Sequence, residues 1–290
     1  MQYYRRYVMT EPDTLFSFPR SGTWYDPSFP SPETVHQAVI DGEFRPWFQP
    51  VVYAGSGTLC GCEVLVRWES PVAGIIPPSA FIEWLEGSGL IVPVTTRLMQ
   101  QVADTLVPVS RQLPQGFRVG INLCAGNLLS ASLERACDAF QKQPCLQHVE
   151  LLMELTERLP FPVPAEVKPV FSRLSRKNVH FALDDFGTGW STYECLRHMP
   201  VNVLKVDRHF VRDFLTDEVA DSIIDSMVYL ADRLKLDIVA EGVETGEQAA
   251  RLFCKGIKYL QGYYFSPPLS RSDFIRKWIT PQGRNVFAVP

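Results

Sequence analysis

A chain of 290 residues, 46% hydrophobic and 21% charged with a formal net charge of −4, has the composition of a soluble globular protein long enough for one α/β barrel of about 250 residues. Its slight acidity argues against a duplex nucleic-acid binder, which would carry a basic face, so no DNA partner is expected. No apolar run reaches the roughly 20 residues of a membrane-spanning helix, and the start MQYYRRYVMTEPD lacks the apolar core of a signal peptide.

A cytoplasmic protein without a membrane segment is the expectation. Seven cysteines scattered without a framework spacing fit a reducing compartment. Residues 1–32 interleave Pro12, Pro19, Pro27, Pro30 and Pro32 with Trp24, Tyr25 and Phe29. They read as an arm or linker, because prolines limit regular structure. Such an arm either lies extended on the domain surface or docks a protein partner. The domain is expected to span 33–280, with residues 281–290 as a tail.

From about residue 45, short β-branched runs alternate with helical patterns, the signature of a parallel sheet covered by helices. The strand candidates, in order, are WFQPVV, CEVLVRW, RVGINL, VELLMEL, VHFALDD, VNVLKVD, LDIVAEG and IKYLQGY. Cys60 and Cys62 share one face of the second and read as buried packing, or as half of a metal site completed from elsewhere. Leu98, Val102 and Leu106 recur every four residues, and Val219, Ile223, Met227, Leu230 and Leu234 at spacings of four and three. Both sets predict amphipathic helices facing the sheet. Gly256, after EQAARLFCK, reads as a helix-ending glycine.

Eight strands suggest a closed barrel, and their ends strengthen the case. Glu63 lies within the second, while Asn122, Glu154, the Asp184–Asp185 pair, Lys205, Glu241 and Gln261 end the third to eighth. From Asn122 onward the separations are 32, 30, 21, 36 and 20 residues, compatible with the ~31 per unit of an eight-fold βα barrel. In such a barrel these residues face one another across one mouth.

The stretch FALDDFGTGW concentrates the chemistry. An apolar strand runs into adjacent carboxylates and then a loop built on Gly187 and Gly189. Two like charges ~4 Å apart repel by about 4 kcal/mol at an effective dielectric of ~20, a cost that a divalent cation removes. With Glu244 the mouth would hold six carboxylates against Lys205 and Arg67. Oxygen donors with one amide, and no clustered histidines or thiolates, select Mg²⁺ or Mn²⁺ over zinc. Six carboxylates exceed the need of one octahedral ion, so two are expected. A pair ~3.5–4 Å apart suits hydroxide attack in line at phosphorus, and phosphodiester hydrolysis is the inferred reaction.

FQPVV, EVLVRW, INLCAGNL, ELTE, DDFGTGWST, LKVD, AEGVET and QGYYFSPPL together resemble the EAL-domain cyclic di-GMP phosphodiesterases, in that family's order, from about Phe48 to Pro268. The resemblance implies a TIM-like (β/α)8 barrel whose first strand runs antiparallel, and hydrolysis of cyclic di-GMP to linear pGpG with Mg²⁺ or Mn²⁺. It implies that Glu63, Asn122, Glu154 and Asp184 hold one metal. It further implies that Asp184 bridges to a second metal shared with Asp185 and, directly or through water, Glu241. Lys205 contacts the attacking water, with the general base left open among it and nearby acids, so Lys205, Glu241, Glu63 and Asp185 form the candidate catalytic set. Gln261 and Glu244 organise the second metal's waters and the catalytic end. Gln49 and Leu65 lie near a guanine, and Arg67 pairs with phosphate.

Glu157 matches a glutamate that positions the loop from Phe186 to Ser191, where the family also forms homodimers; a plain surface role is its alternative. Departures are Val64 in the name-giving triplet, Cys124, Trp190 and Thr192. None removes a metal ligand. The filled ligand set argues for an active enzyme over a catalytically weak cyclic di-GMP receptor or a protein-interaction regulator.

Overall fold

The computed structural model describes residues 30–155, 167–187 and 192–280. The arm up to residue 29, Glu157, Trp190, the side chain of Thr192 and the tail 281–290 lie outside the described residues. Among the described residues nine strands are present: β1 (Phe44–Tyr53), β2 (Leu59–Ser70), β3 (Gly74–Ile76), β4 (Phe117–Leu123), β5 (Val149–Leu155), β6 (Val179–Phe186), β7 (Val203–Val206), β8 (Asp237–Ala240) and β9 (Tyr259–Leu260). They are ordered β1-β9-β8-β7-β6-β5-β4-β2-β3, and β1 also pairs with β2. Eight strands therefore close into a barrel while β3 hangs on the edge of β2. All eight barrel strands coincide with the predicted runs; β3 was not among them.

The expected reversal is present, since β1 runs antiparallel to both β2 and β9, whereas the ladder from β2 through β4 to β9 is parallel. Side chains alternate across each strand, and the burial follows. On β4 the odd positions Phe117, Val119, Ile121 and Leu123 join the apolar layer beneath the helices. The even positions Arg118, Gly120 and Asn122 thus face inward.

Applied round the barrel, this alternation stacks three interior layers. At the floor the Arg118 guanidinium pairs with Asp237 at 2.7 Å and Glu150 at 3.2 Å and lies over the Tyr259 ring. Leu152, Ala182, Val203 and Val239, with Val51 and Tyr259 against them, form an apolar middle layer. The strand ends form the third layer, at the mouth. Barrel interiors of this kind are packed cores, so the reactive layer rests on the apolar middle layer.

The helix Ile91–Leu106 buries Leu98, Val102 and Leu106 as predicted. The helix Glu218–Leu234 bears out the middle of its predicted stripe, with Met227 buried and Ile223 and Leu230 packed against the core. It also buries Ala220, Ile224 and Ala231, while Val219 and Leu234, at its two ends, are exposed. Gly256 follows the helix Gly246–Cys254 with φ +96°, as a helix-ending glycine should. Cys60 and Cys62 are buried free thiols, and burial pushes Cys60 up to about 12; they pack as thiols. Val64 also points into the apolar layer, away from the mouth.

A second apolar cluster of Val35, Ala38, Phe44, Trp68, Phe81 and Leu85 covers the extension of β1 and β2 beyond the barrel. The helix Pro32–Asp41 contributes to it, capped by Ser31, which accepts the Thr34 N–H at 3.2 Å. No described helix is long and apolar enough to cross a membrane.

Candidate active site at the barrel mouth

Lys205 stands at the centre of the mouth. Its ammonium lies 2.5 Å from Glu241 Oε1, 2.6 Å from Glu154 Oε2, 3.0 Å from Asp184 Oδ1 and 3.5 Å from Glu63 Oε2. Glu63 is held from both sides: Asn122 Nδ2 donates to Oε1 at 2.8 Å and Gln261 Nε2 to Oε2 at 2.6 Å. The Gln261 amide also donates to Gln49 Oε1 at 3.1 Å, and Gln49 donates to the Ser266 carbonyl. Five predicted strand ends and Glu63, each from a different strand, thus meet around one cation, with Gln49 of β1 completing the ring.

One positive charge cannot balance four carboxylates, three of them buried. Burial, then neighbouring Glu63 and Asp184, push Glu154 well above the ordinary carboxylate range despite Lys205. Burial, followed by the charges of Asp184 and Glu63, moves Glu241 up to about 8 although Lys205 pulls the other way. Glu63 is the exception: burial opposes its ionisation, but Lys205, Gln261 and Asn122 together hold it below the usual range. Lys205 itself is driven well above its ordinary value, because four carboxylates outweigh its burial.

The Asp184–Asp185 pair solves a geometric problem. Adjacent residues of a regular strand point to opposite faces, yet carboxylate oxygens of Asp184, Asp185 and Glu241 all lie within 4.8 Å of one another. Asp185 adopts the left-handed region with φ +51°, which aspartate tolerates better than most residues, and the β6–β7 register shifts between Leu183 and Phe186. The kink turns both acids to one side. Gly187 follows with φ +102°, a backbone conformation that strains any residue with a side chain.

This donor set fits a hard divalent ion. All its atoms are carboxylate oxygens, and Asp184 Oδ1 and Glu241 Oε1 are buried without accepting a hydrogen bond, meeting Lys205 only as an ion pair. It is the one such three-residue group found among the described residues.

Residues 33–268 match the EAL domain family. The chain is 47% identical over 253 residues to the cyclic di-GMP phosphodiesterase PdeL of Escherichia coli, covering 87% of this chain and 70% of PdeL. This chain belongs to the EAL-domain family of cyclic di-GMP phosphodiesterases. The cyclic di-GMP phosphodiesterase RocR of Pseudomonas aeruginosa is 33% identical over 85% of this chain and 62% of its own length. For PdeG of Escherichia coli, a probable cyclic di-GMP phosphodiesterase, the match spans half of the relative. Among solved structures, the PaMucR phosphodiesterase in complex with c-di-GMP superposes with a TM-score of 0.75 at 29% identity, covering 83% of this chain and 98% of that one. The EAL enzyme Bd1971 in its cAMP- and cyclic-di-GMP-bound form gives 0.78 at 29% identity, over 84% of this chain and 67% of that one.

The remaining predicted residues of this EAL domain sit on the rim. Arg67 is half-buried, donates to the Val66 carbonyl at 2.9 Å and lies 6.0 Å from the Trp47 ring. Leu65 pairs with Trp47 across the β1–β2 ladder. Glu244 is exposed in the turn before Gly246–Cys254, its backbone N–H donating to Gln248 Oε1. None of the three hydrogen-bonds to the ring around Lys205.

Asp207 was missed. It is buried two residues beyond Lys205 and hydrogen-bonds Asp185. Burial, the charge of Asp184 and this bond push Asp185 up to about 7. The signal available was LKVD itself, in which Lys205 and Asp207 are two residues apart and so share a face.

Proposed function

We propose that this EAL domain hydrolyses one phosphodiester of cyclic di-GMP to give linear pGpG, with Mg²⁺ or Mn²⁺ as cofactor. The observation that carries the reading is the ring of Glu63, Asn122, Glu154, Asp184, Glu241 and Gln261 around Lys205, in a chain 47% identical to PdeL. Glu63, Asn122, Glu154 and Asp184 would hold one divalent ion, and Asp184, Asp185 and Glu241 a second. When bound, such a pair activates water at neutral pH and neutralises charge on the entering and leaving oxygens of an in-line displacement.

The side chains then divide the remaining work. Lys205, held protonated by its carboxylates, acts as a donor and a positive charge that orients the attacking water; proton removal falls to a carboxylate of the ring. Gln261 fixes the direction of Glu63 by bonding it and Gln49 with one amide. The Arg67 fork suits phosphate oxygens. Gln49 and Leu65 would lie beside a guanine, with Glu244 at the open end. A reducing, cytoplasmic setting accords with seven free cysteines.

The test is hydrolysis of cyclic di-GMP by the purified chain with Mg²⁺ or Mn²⁺, following pGpG by chromatography beside a chelated control. Metal-dependent pGpG is the expected result. Tight binding of cyclic di-GMP without turnover would reject hydrolysis and leave a receptor.

A further inference from the structure

Side chains of a strand alternate, so Arg67 shares the face of Glu63, four residues earlier on β2, and stands on the rim above it. Across the ladder Gln49 faces Glu63, Trp47 faces Leu65 and Arg45 faces Arg67. Among the described residues Arg67 forms no ion pair, and its guanidinium donates to the adjacent Val66 carbonyl at 2.9 Å. Glu69 is the carboxylate placed to capture it. Two residues apart on one strand, the pair share a face at about 6.6 Å along the chain, within reach of two long side chains.

Trp47 intervenes between them. Its indole N–H donates to Glu69 Oε1 at 2.9 Å, while the Arg67 guanidinium lies over the ring, 6.0 Å from its centroid. The acid thus meets the polar edge of the indole and the cation its face, the order that the ring's own charge distribution favours. Phe44 and Trp68 use the opposite face of these strands for their apolar cluster, so burial in that cluster does not account for Trp47, which stays half-buried on the side of the mouth.

We infer that Trp47 is a positioning residue for Arg67: it keeps Glu69 from neutralising the guanidinium and carries that guanidinium on its face, open to an anionic oxygen of the substrate. The inference rests on the reading of Arg67 as the partner of a cyclic di-GMP phosphate. An arginine already paired with a carboxylate must give up that pair before its fork can engage phosphate. The effect of Trp47 therefore falls on substrate binding.

The test is a double-mutant cycle in steady-state kinetics on cyclic di-GMP with Mn²⁺, for the parent, Trp47→Ala, Arg67→Ala and the two together, with melting curves alongside. Trp47→Ala should lower kcat/KM on the order of tenfold, mostly through a higher KM. In the Arg67→Ala background the same change should do almost nothing, because a residue that acts through Arg67 has nothing left to act on. Adding Glu69→Gln to Trp47→Ala removes the competing charge and should recover much of the loss.

Parent-like kinetics in Trp47→Ala overturn the inference. So does a full-sized effect of Trp47→Ala in the Arg67→Ala background, which would put the indole on the substrate itself, and so does a Trp47→Ala chain that Glu69→Gln leaves unimproved. Should Trp47→Ala fail to fold, Trp47→Leu, which keeps more apolar volume without the ring or its N–H, decides in its place. Arg67→Ala separates the two levels. A parent-like KM there removes Arg67 from phosphate binding and the underlying reading fails; a raised KM beside a parent-like Trp47→Ala loses only the role of Trp47. If the chain binds cyclic di-GMP without turnover, the same cycle on the calorimetric Kd decides in the same way.

Discussion

Gly120 is the vacancy into which Glu154 folds. The two residues lie on neighbouring strands, and a Cβ on Gly120 would stand 2.9 Å from Glu154 Cδ and overlap its Oε1. The inward position of β4 that every other residue type would fill is given to a carboxylate from β5. Gly120→Ala should therefore displace Glu154 rather than unfold the barrel. We expect a destabilisation of about 1–3 kcal/mol, as for other overpacked sites, but a loss of turnover on the order of 100-fold, the scale for a group misplaced by about an ångström. Parallel melting and rate measurements check this; a full rate with an intact fold would show that Glu154 has room to spare.

Lys205 balances the ring as well as serving it. Removing one partner from a buried ion pair costs about 3–5 kcal/mol, and Lys205→Met would leave four carboxylates facing one another. The metal-free variant should melt well below the parent, and Mg²⁺ should restore most of the difference. Turnover should stay low with the metal present, because the donor to water is gone, while cyclic di-GMP affinity changes less. An unchanged turnover number would remove Lys205 from the chemistry.

Asp184 is shared by both proposed ion sites, so Asp184→Asn should abolish pGpG formation. The amide keeps the shape but loses the charge. Calorimetry with Mn²⁺ should show both binding steps weakened. Substantial activity at saturating metal would end the bridging role.

The pH dependence follows from Asp185, pushed up to about 7, and Glu241, pushed up to about 8. In the unfolded chain both ionise near pH 4. Between about pH 5 and 8 the folded, metal-free protein thus holds more protons than the unfolded one, and stability falls as pH rises. The contribution is fully present below the unfolded values and is lost as pH passes through 7 and 8. Metal-free protein should melt lower at pH 8.5 than at pH 6, and saturating Mn²⁺, which takes the ionised carboxylates, should flatten or reverse that difference. Mn²⁺ binding should release protons and tighten across the same window. A melting temperature that climbs with pH in the presence of chelator would contradict this ordering.

The eight barrel strands were legible because their β-branched runs are largely buried on both faces, and the site was legible because the third to eighth runs end in polar residues. Strand direction was not: alternation looks the same read either way, so the reversal of β1 came only with the family resemblance. β3 escaped because three residues, Gly74–Ile76, carry no period. The stripe on Glu218–Leu234 was legible at Ile223, Met227 and Leu230 but left out alanines 220 and 231, which count for little in an apolar tally. Asp207 was passed over although it shares a face with Lys205 in LKVD; it caps the helix Arg208–Asp213, and where Asp185 lies relative to it depends on the backbone kink at Asp185.

The seam of the barrel has a consequence for motion. β1 meets β2 along nine paired residues, but β9 joins β1 and β8 through two pairs each. A short ladder offers few amides that must break together, so the wall should breathe there first, and amide hydrogens of β9 should exchange sooner than those of β4 or β5. Gln261 sits directly after that strand and reaches across to Glu63. The part of the wall with the shortest ladders thus carries the side chain that steers one of the acids, and opening of that seam would slacken the mouth.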